Sequence, residues 1–179
     1  EYRQIQLERV VLAGVWTSGS WELAERSLQE LARLAETAGS TVLEGVIQRR
    51  DNPDPSTYLG SGKAQELRRI VSETGADTVI IDGELSPAQL IHLEDVVKVK
   101  VVDRTWLILD IFAKHAKSRE GKTQVSLAQM QYMLPRLRGW GDALSRQAAS
   151  GASVGIGTRG PGETKLETDR RRIHDQMTR

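Results

Sequence analysis

The sequence predicts an α/β fold, a small parallel β-sheet with flanking helices, followed by an antiparallel helical hairpin with a long glycine-rich tip loop. Three observations lead to this prediction. Short valine-rich apolar runs alternate with helical patterns over residues 1–104, which is typical of βαβ units. Two amphipathic helical patterns follow without a further strand. Seven glycines lie between these two patterns, within residues 139–162.

Four apolar runs are predicted to be strands, because runs of this length and composition are typical of parallel sheets that are buried on both faces. Each run is bounded by residues that favour turns. Since the connections are too long for hairpins and have helical periodicity, we expect neighbouring strands to be parallel. The predicted strands are Arg9–Trp16, Thr41–Gln48, Asp77–Asp82 and Lys98–Asp103.

The segments between the strands have the spacing of helices. Residues 21–37 carry leucines at helical intervals, with Ser18 or Ser20 as the N-cap and Gly39 at the end. Residues 62–73 form the next predicted helix, which ends at Gly75. A third begins at Ser86, with proline at the first helical position and glutamine three residues after the cap, and runs to about residue 97.

The second part of the chain, residues 105–179, is predicted to be helical. A first helix covers residues 105–116, and a second covers 125–137 with a coiled-coil-like seam. The tip loop is predicted at about 140–162, and a last helix begins near Pro161. The apolar residues expected to join the two hairpin helices are Leu127, Met130, Leu134 and Leu137 on one side and Leu166, Ile173 and Met177 on the other.

Composition excludes several classes of site. The chain has no cysteine, which rules out disulfides, zinc–thiolate sites and cysteine nucleophiles. Its three histidines are scattered, and no spacing resembles a catalytic constellation, so we predict neither a metal site nor catalytic residues here. No apolar run approaches the ~18 residues that a membrane span needs, and we expect a cytoplasmic protein.

Charge is distributed unevenly along the chain. Residues 1–111 carry 12 Lys/Arg and 18 Asp/Glu, a net charge of −6, whereas residues 112–179 carry 13 and 6, a net charge of +7. A basic segment of this size is a candidate surface for a polyanion. Mutual attraction between the two parts would explain the same asymmetry, and charge alone leaves both interpretations open.

Arginines, one tryptophan and glycines are concentrated around the predicted tip loop. Arginine pairs with phosphate and stacks on bases, and glycines let the backbone approach a ligand closely, so this combination favours RNA. The segment 155–160 spells G-x-G-x-x-G, but no strand precedes it, which argues against a dinucleotide site. The predicted RNA-binding residues are Arg136, Arg138, Trp140, Arg146, Gly155, Gly157, Arg159, Gly160 and Lys165.

Two segments resemble phosphate-binding loops. The first contains Gly60, Gly62 and Lys63 ahead of a helix, but an alanine replaces the residue that would hold magnesium. The second, residues 116–123, ends in Gly-Lys-Thr, with Lys122 and Thr123 as the candidate ligands of phosphate and magnesium. It follows a predicted helix, and alanine replaces the first glycine of the motif, so a charged turn between two helices explains it better.

Several stretches together resemble the N-terminal region of the HflX family of bacterial translation-associated GTPases. The most specific of them, residues 157–171, reads GTRGPGETKLETDRR. The resemblance begins near residue 8 and covers nearly the whole chain. The other stretches that carry it are YLGSGK at 58–63, LSPAQ at 85–89, VDRTWLILDIFA at 102–113, EGKTQVSLAQ at 120–129 and PRLRGW at 135–140.

This resemblance implies an α/β subdomain, a helical hairpin and then a GTPase domain, which we expect after residue 179. It implies binding to the large ribosomal subunit, with the tip loop near the peptidyl-transferase region of 23S ribosomal RNA, and a role in splitting 70S ribosomes. GTP and Mg²⁺ are expected as ligands of the full-length protein. The only asparagine here is Asn52, followed by proline, so the guanine-reading motif is absent and we expect no GTP hydrolysis by this chain.

Two other functions are compatible with the same residues. One is a nucleotide-binding domain that holds ATP at residues 60–63 or 116–123. The other is a regulatory domain whose main partner is its own GTPase domain.

Overall fold

A computed structural model describes the backbone of residues 9–150 and the side chains of residues 9–136. Four strands form one parallel sheet, as predicted: β1 (Arg9–Trp16), β2 (Thr41–Arg49), β3 (Thr78–Asp82) and β4 (Lys100–Asp103). Their order across the sheet is β2-β1-β3-β4. β1 therefore lies inside the sheet, which explains why residues 10–13 are buried.

Helices connect the strands and cover both faces of the sheet. α1 (Trp21–Thr37) follows β1, α2 (Ser61–Thr74) follows β2, α3 (Pro87–Val97) follows β3, and α4 (Arg104–His115) follows β4. α1 and α4 pack together on one face, and α2 and α3 on the other. The α/β part of the predicted fold is confirmed, with element ends that differ from the predicted ones by up to two residues.

Local signals explain where these helices begin and end. Ser20, rather than Ser18, caps α1, and its hydroxyl accepts from the amide of Leu23. Ser86 caps α3 in the predicted capping box with Gln89. Gly75 ends α2 in the left-handed conformation (φ 70°) that glycine adopts without strain.

The core of the α/β unit is aliphatic on both faces of the sheet. Because side chains alternate along a strand, Val10 and Leu12 face α1 and α4, whereas Val11 faces α2 and α3. On the first face they pack with Ile80, Val102, Leu31, Ala35 and Leu107. On the second face, α2 and α3 contribute Leu67 and Leu93, both fully buried.

α4 belongs to this unit, although the predicted boundary after residue 104 assigned it to the second domain. The chain divides into two compact units after His115. Leu107 of α4 is fully buried in the core cluster, and Trp106 and Ile111 pack against that cluster. The helix is thus held by tertiary burial against α1, which its own periodicity did not reveal.

The second unit begins with one long helix, α5 (Arg119–Ser150). The predicted loop at 140–162 is therefore wrong for residues 140–150, and residues 151–162 lie outside the described residues. Two glycines interrupt the helix near residue 140, but residues 142–150 read DALSRQAAS, without glycine and rich in helix-forming residues. An isolated glycine costs a helix only about 1 kcal/mol relative to alanine, so it does not end one.

Candidate nucleic-acid interface

The predicted RNA-binding residues fall into three groups in the structure. The side chain of Arg136 is described. Arg138, Trp140 and Arg146 lie on the backbone of α5, which makes them part of a helix rather than of a loop. The remaining five, Gly155, Gly157, Arg159, Gly160 and Lys165, lie outside the described residues.

Arg136 does not project into solvent. Its guanidinium carbon lies 3.4 Å from the ring centroid of Tyr132, and its Nη1 donates to the carbonyl oxygen of Tyr132 at 2.7 Å. The residue is only 6% exposed. The preceding residue, Pro135, has no N–H and breaks the regular bonding of the helix at this turn. The guanidinium is thus stacked within its own helix, and the role of Arg136 in steering a polyanion stays a prediction.

The predicted seam of α5 is only partly buried. Leu127 is 43% exposed, and Met130 and Leu134 are half-buried. Leu137 lies beyond the described side chains, and Leu166, Ile173 and Met177 lie outside the described residues altogether. The antiparallel partner of α5 therefore stays a prediction.

The first phosphate-loop candidate forms the start of α2. Gly60 is the N-cap residue at φ 90°, and no side chain caps the helix. The guanidinium of Arg50 lies against Gly60. Lys63, however, is turned along the helix, where its Nζ lies 3.1 Å from Glu66 Oε2. This arrangement offers amides and one arginine to a single anion, but the lysine does not point toward that place.

The second candidate, residues 116–123, has a different geometry from a phosphate loop. It joins α4 to α5, so no strand precedes it. Ser118 occupies the amides that would bind phosphate: its hydroxyl accepts from Gly121 N at 2.9 Å, and its carbonyl accepts from Lys122 N at 3.0 Å. The hydroxyl of Thr123 donates to the carbonyl of Arg119 at 2.9 Å. Lys122 and Thr123 therefore belong to the first turns of a capped helix and do not fit a nucleotide–magnesium site.

A polar cluster occupies the carboxyl ends of the strands, where open α/β sheets commonly bind ligands. Ser27 Oγ donates to Asp82 Oδ2 at 2.6 Å, and Arg104 Nη1 lies 2.9 Å from Asp82 Oδ1. Arg104 also pairs with Glu30. The cluster ties α1 and the start of α4 to the end of β3. Since Arg104 is already paired with two carboxylates, the cluster stabilises the fold and leaves no free cation for a phosphate.

Tyr58 and Asp103 extend this cluster. The ring of Tyr58 lies over Gly83, in contact with the position that a side chain there would occupy. Burial, and then the charges of Asp82 and Asp103, raise the pKa of the Tyr58 phenol. Asp103 is fully buried and accepts from the amides of Leu85 and Trp106, both at 2.9 Å. Part of this cluster could be predicted from the sequence, because two predicted strands end in aspartate, at Asp82 and Asp103. No pattern in the sequence identified Arg104 and Ser27 as their partners.

In the part of the chain that the structure describes, no three histidine, aspartate or glutamate side chains come close enough to hold a metal ion. No helix in that part is both long and apolar enough to cross a membrane.

Comparison with known families matches both units. Residues 25–113 match the family described as GTP-binding GTPase N-terminal, and residues 115–179 match the GTP-binding GTPase middle region. The boundary between the two matches falls beside the division after His115.

Curated relatives are similar over almost the whole chain. It is 50% identical to the GTPase HflX of Alkalihalophilus pseudofirmus over 99% of its length, and 43% identical to that of Escherichia coli over 95%. The chain spans about two fifths of the length of these relatives, 41% and 38%.

Among solved structures, a GTP-binding protein from the archaeon Sulfolobus solfataricus, in complex with GDP, has a similar fold. The TM-score is 0.58 at 25% identity, over 96% of this chain and 44% of that one.

Proposed function

This chain belongs to the HflX family of GTPases, and we propose that it is the region through which the complete protein docks on the large ribosomal subunit. In this proposal the complete protein binds and hydrolyses GTP, with Mg²⁺, outside this region, and helps to split or rescue 70S ribosomes. The partner is 23S ribosomal RNA near the peptidyl-transferase region, in the cytoplasm where translation takes place. The resemblance to translation-associated GTPases over nearly the whole chain supports this proposal.

The observation that carries the proposal is the charge of the second unit. Residues 116–179 carry 12 Lys/Arg and 6 Asp/Glu, a net charge of +6, whereas residues 1–115 carry 13 and 18, a net charge of −5. α5 carries Arg138, Trp140 and Arg146 toward residue 150 along one continuous helix, rather than on a loop. We propose that this helix holds its basic end and the following glycine-rich residues against phosphates and unpaired bases. A helix from about residue 161 would then return along α5 as the second arm of the hairpin.

Co-sedimentation with purified large subunits tests the docking, with small subunits as the control. Deleting residues 152–160 leaves α5 at its full length and is expected to abolish sedimentation with large subunits while the circular dichroism spectrum stays helical. Equal sedimentation of the folded deletion variant would reject the tip as the docking element. The α/β unit would then be the docking element.

A matched pair of charge variants tests which unit contacts phosphate. Arg146→Ala and Arg68→Ala each remove one arginine, the first from α5 and the second from the exposed side of α2. If α5 contacts RNA, Arg146→Ala lowers the slope of log affinity against log salt by about 1, and Arg68→Ala leaves it unchanged. Equal effects of both variants would contradict the assignment.

We also expect no GTP hydrolysis by this chain. The segment 116–123 forms a capped helix start, and Lys63 is paired with Glu66 rather than turned toward the amides at the start of α2. Phosphate release from GTP should equal that of the buffer. Release that disappears in Lys122→Ala would place a phosphate loop at residues 116–123 after all.

A second candidate function is ATP binding at the start of α2. The uncapped amides of this 14-residue helix and the adjacent Arg50 favour an anion there. Titration calorimetry with ATP should detect binding that is weakened by Arg50→Ala. Lys122→Ala is the matched control, since it removes the same charge at the other candidate segment. No heat of binding in the unsubstituted chain would reject this function.

A further inference from the structure

Two tryptophans lie side by side where β1 ends and α1 begins. Trp16 is the last residue of β1 and Trp21 the first of α1, with ring centroids 5.5 Å apart and an interplanar angle of 76°. Trp21 is 45% exposed, and Leu23, two residues further along α1, is 59% exposed. These two are half of the four large exposed apolar side chains found among residues 9–136. The α/β unit therefore presents an aromatic surface that its own core does not use.

Arg49 holds a positive charge beside this surface. Its guanidinium carbon lies 4.9 Å from the ring centroid of Trp16. Its Nη1 donates to the carbonyl oxygens of Trp16 and Thr17, which fixes the side chain against the turn that leads into α1. Among the described residues, no carboxylate lies within ion-pair distance of Arg49. Its charge is therefore rigidly placed and not neutralised by a neighbouring acid.

An exposed indole and a fixed guanidinium that both contact Trp16 match the chemistry of an unpaired nucleotide. The base stacks on the aromatic ring, and the phosphate pairs with the arginine. Tryptophan and arginine are also common in protein–protein contacts. An arginine whose charge is not neutralised, however, favours an anionic partner over a second apolar surface.

We infer that Trp21 and Arg49 form a stacking site for an unpaired base of single-stranded RNA on the α/β unit. This inference rests on the proposed ribosomal function and adds a contact that does not involve α5. Residues 1–111 are net negative, so long-range attraction does not draw RNA to this unit. Affinity at this site should therefore depend on stacking and on about one phosphate, with a shallow dependence on salt.

Fluorescence anisotropy with a labelled oligouridine of about eight nucleotides tests the site in the 179-residue chain. Trp21→Ala should weaken binding by about 5- to 150-fold, the usual loss for one stacked base. Trp21→Phe should retain most of the affinity because it keeps a ring. Phe112→Ala is the matched control, since it removes another exposed aromatic ring, 58% exposed against 45% for Trp21, from α4. A duplex RNA of the same length should show no difference between these variants.

Ultraviolet crosslinking gives a local readout that RNA binding by the second unit does not mimic. After trypsin digestion, crosslinked RNA is expected on the peptide 10–26, which contains both tryptophans, and this crosslink should disappear in Trp21→Ala. Crosslinks confined to residues beyond 115 would overturn the inference and leave the proposed function intact. Crosslinks on peptide 10–26 without sedimentation on large subunits would support the stacking site and reject ribosome docking.

A protein partner is the remaining outcome. Trp21→Ala could leave the affinity for oligouridine unchanged and abolish a concentration-dependent self-association that gel filtration detects in the unsubstituted chain. This result would show that the surface is a protein contact and would reject the RNA site. Unchanged thermal unfolding of the variant excludes misfolding as the cause of either result.

Discussion

The two units of this chain differ in how their helices are held. In the α/β unit, helices of 11–17 residues are capped at their starts or ends and buried against a sheet. In the second unit, α5 runs for 32 residues with Pro135 inside it, and its described leucines are half-buried or exposed. The first unit is thus held by a core, whereas among the described side chains of α5 only Tyr132 and Arg136 are buried.

Large-to-small substitutions test the difference between the two units. They are expected to change the free energy of unfolding more than any other substitution proposed below. Leu67→Ala empties a fully buried position between α2 and the sheet and should lower the free energy of unfolding by about 2–5 kcal/mol. Leu127→Ala, the matched change on α5, should cost less than about 1 kcal/mol because Leu127 is 43% exposed. Urea unfolding measures both, and similar losses would mean that α5 is as firmly packed as the sheet.

The polar cluster at the carboxyl ends of the strands should account for a smaller share of the first unit's stability. Asp82→Asn removes the charge that faces Arg104 and one acceptor for Ser27, so we expect a loss of about 1–3 kcal/mol. Glu73→Gln is the control, because it breaks a surface pair with Arg69 in which both side chains are about two-thirds exposed. That change should stay within about 0.5 kcal/mol, and equal effects would show that the cluster is not specifically stabilising.

Lys100 should make the stability of the first unit depend on pH. Burial lowers the pKa of its amine to about 8, while Glu94 and Asp110 partly oppose the shift. Its Nζ donates no hydrogen bond to any described residue and lies 5.0 Å from the ring centroid of Trp106. Because the folded state releases this proton at a lower pH than the unfolded state, the contribution of Lys100 to stability rises between about pH 8 and pH 10.5.

Comparison with Lys100→Met isolates that contribution. The variant should be more stable than the unsubstituted chain at pH 7, and the difference should shrink as the pH approaches 10. A difference that is constant with pH would show that the amine is solvated in the folded protein.

The smallest expected effect concerns local capping, which should be alike in the two units. Ser86→Ala removes the cap of α3, and Ser118→Ala removes the hydroxyl that accepts from Gly121 N at the start of α5. Each should cost about 1 kcal/mol, because a cap acts on its own helix whatever packs around it. Thermal unfolding of both variants measures this, and a markedly larger loss for Ser118→Ala would mean that this helix start also supports tertiary contacts.

The error in the predicted loop shows the limit of glycine content as a predictor of loops. The prediction groups the glycines at 139 and 141 with those from 151 onward in one irregular segment, yet the nine residues 142–150 contain no glycine and are helical. The distribution of glycines, rather than their number, decides whether a helix continues, because each acts on only about one turn. The residues assigned to RNA binding beyond Ser150 remain predictions.

The sequence by itself determined the parallel α/β architecture, the number of strands before the second unit and the starts and ends of α1, α2 and α3. These follow from signals within one helix or strand, namely apolar spacing, capping serines and a terminal glycine. Only the tertiary structure decided that α4 belongs to the first unit, that Arg104 reaches Glu30 and Asp82, and that Arg49 stacks on Trp16. The residues in these contacts are 22 to 74 positions apart in the sequence, or lie on strands that come together only in the sheet. Patterns within a single helix or strand therefore cannot predict them.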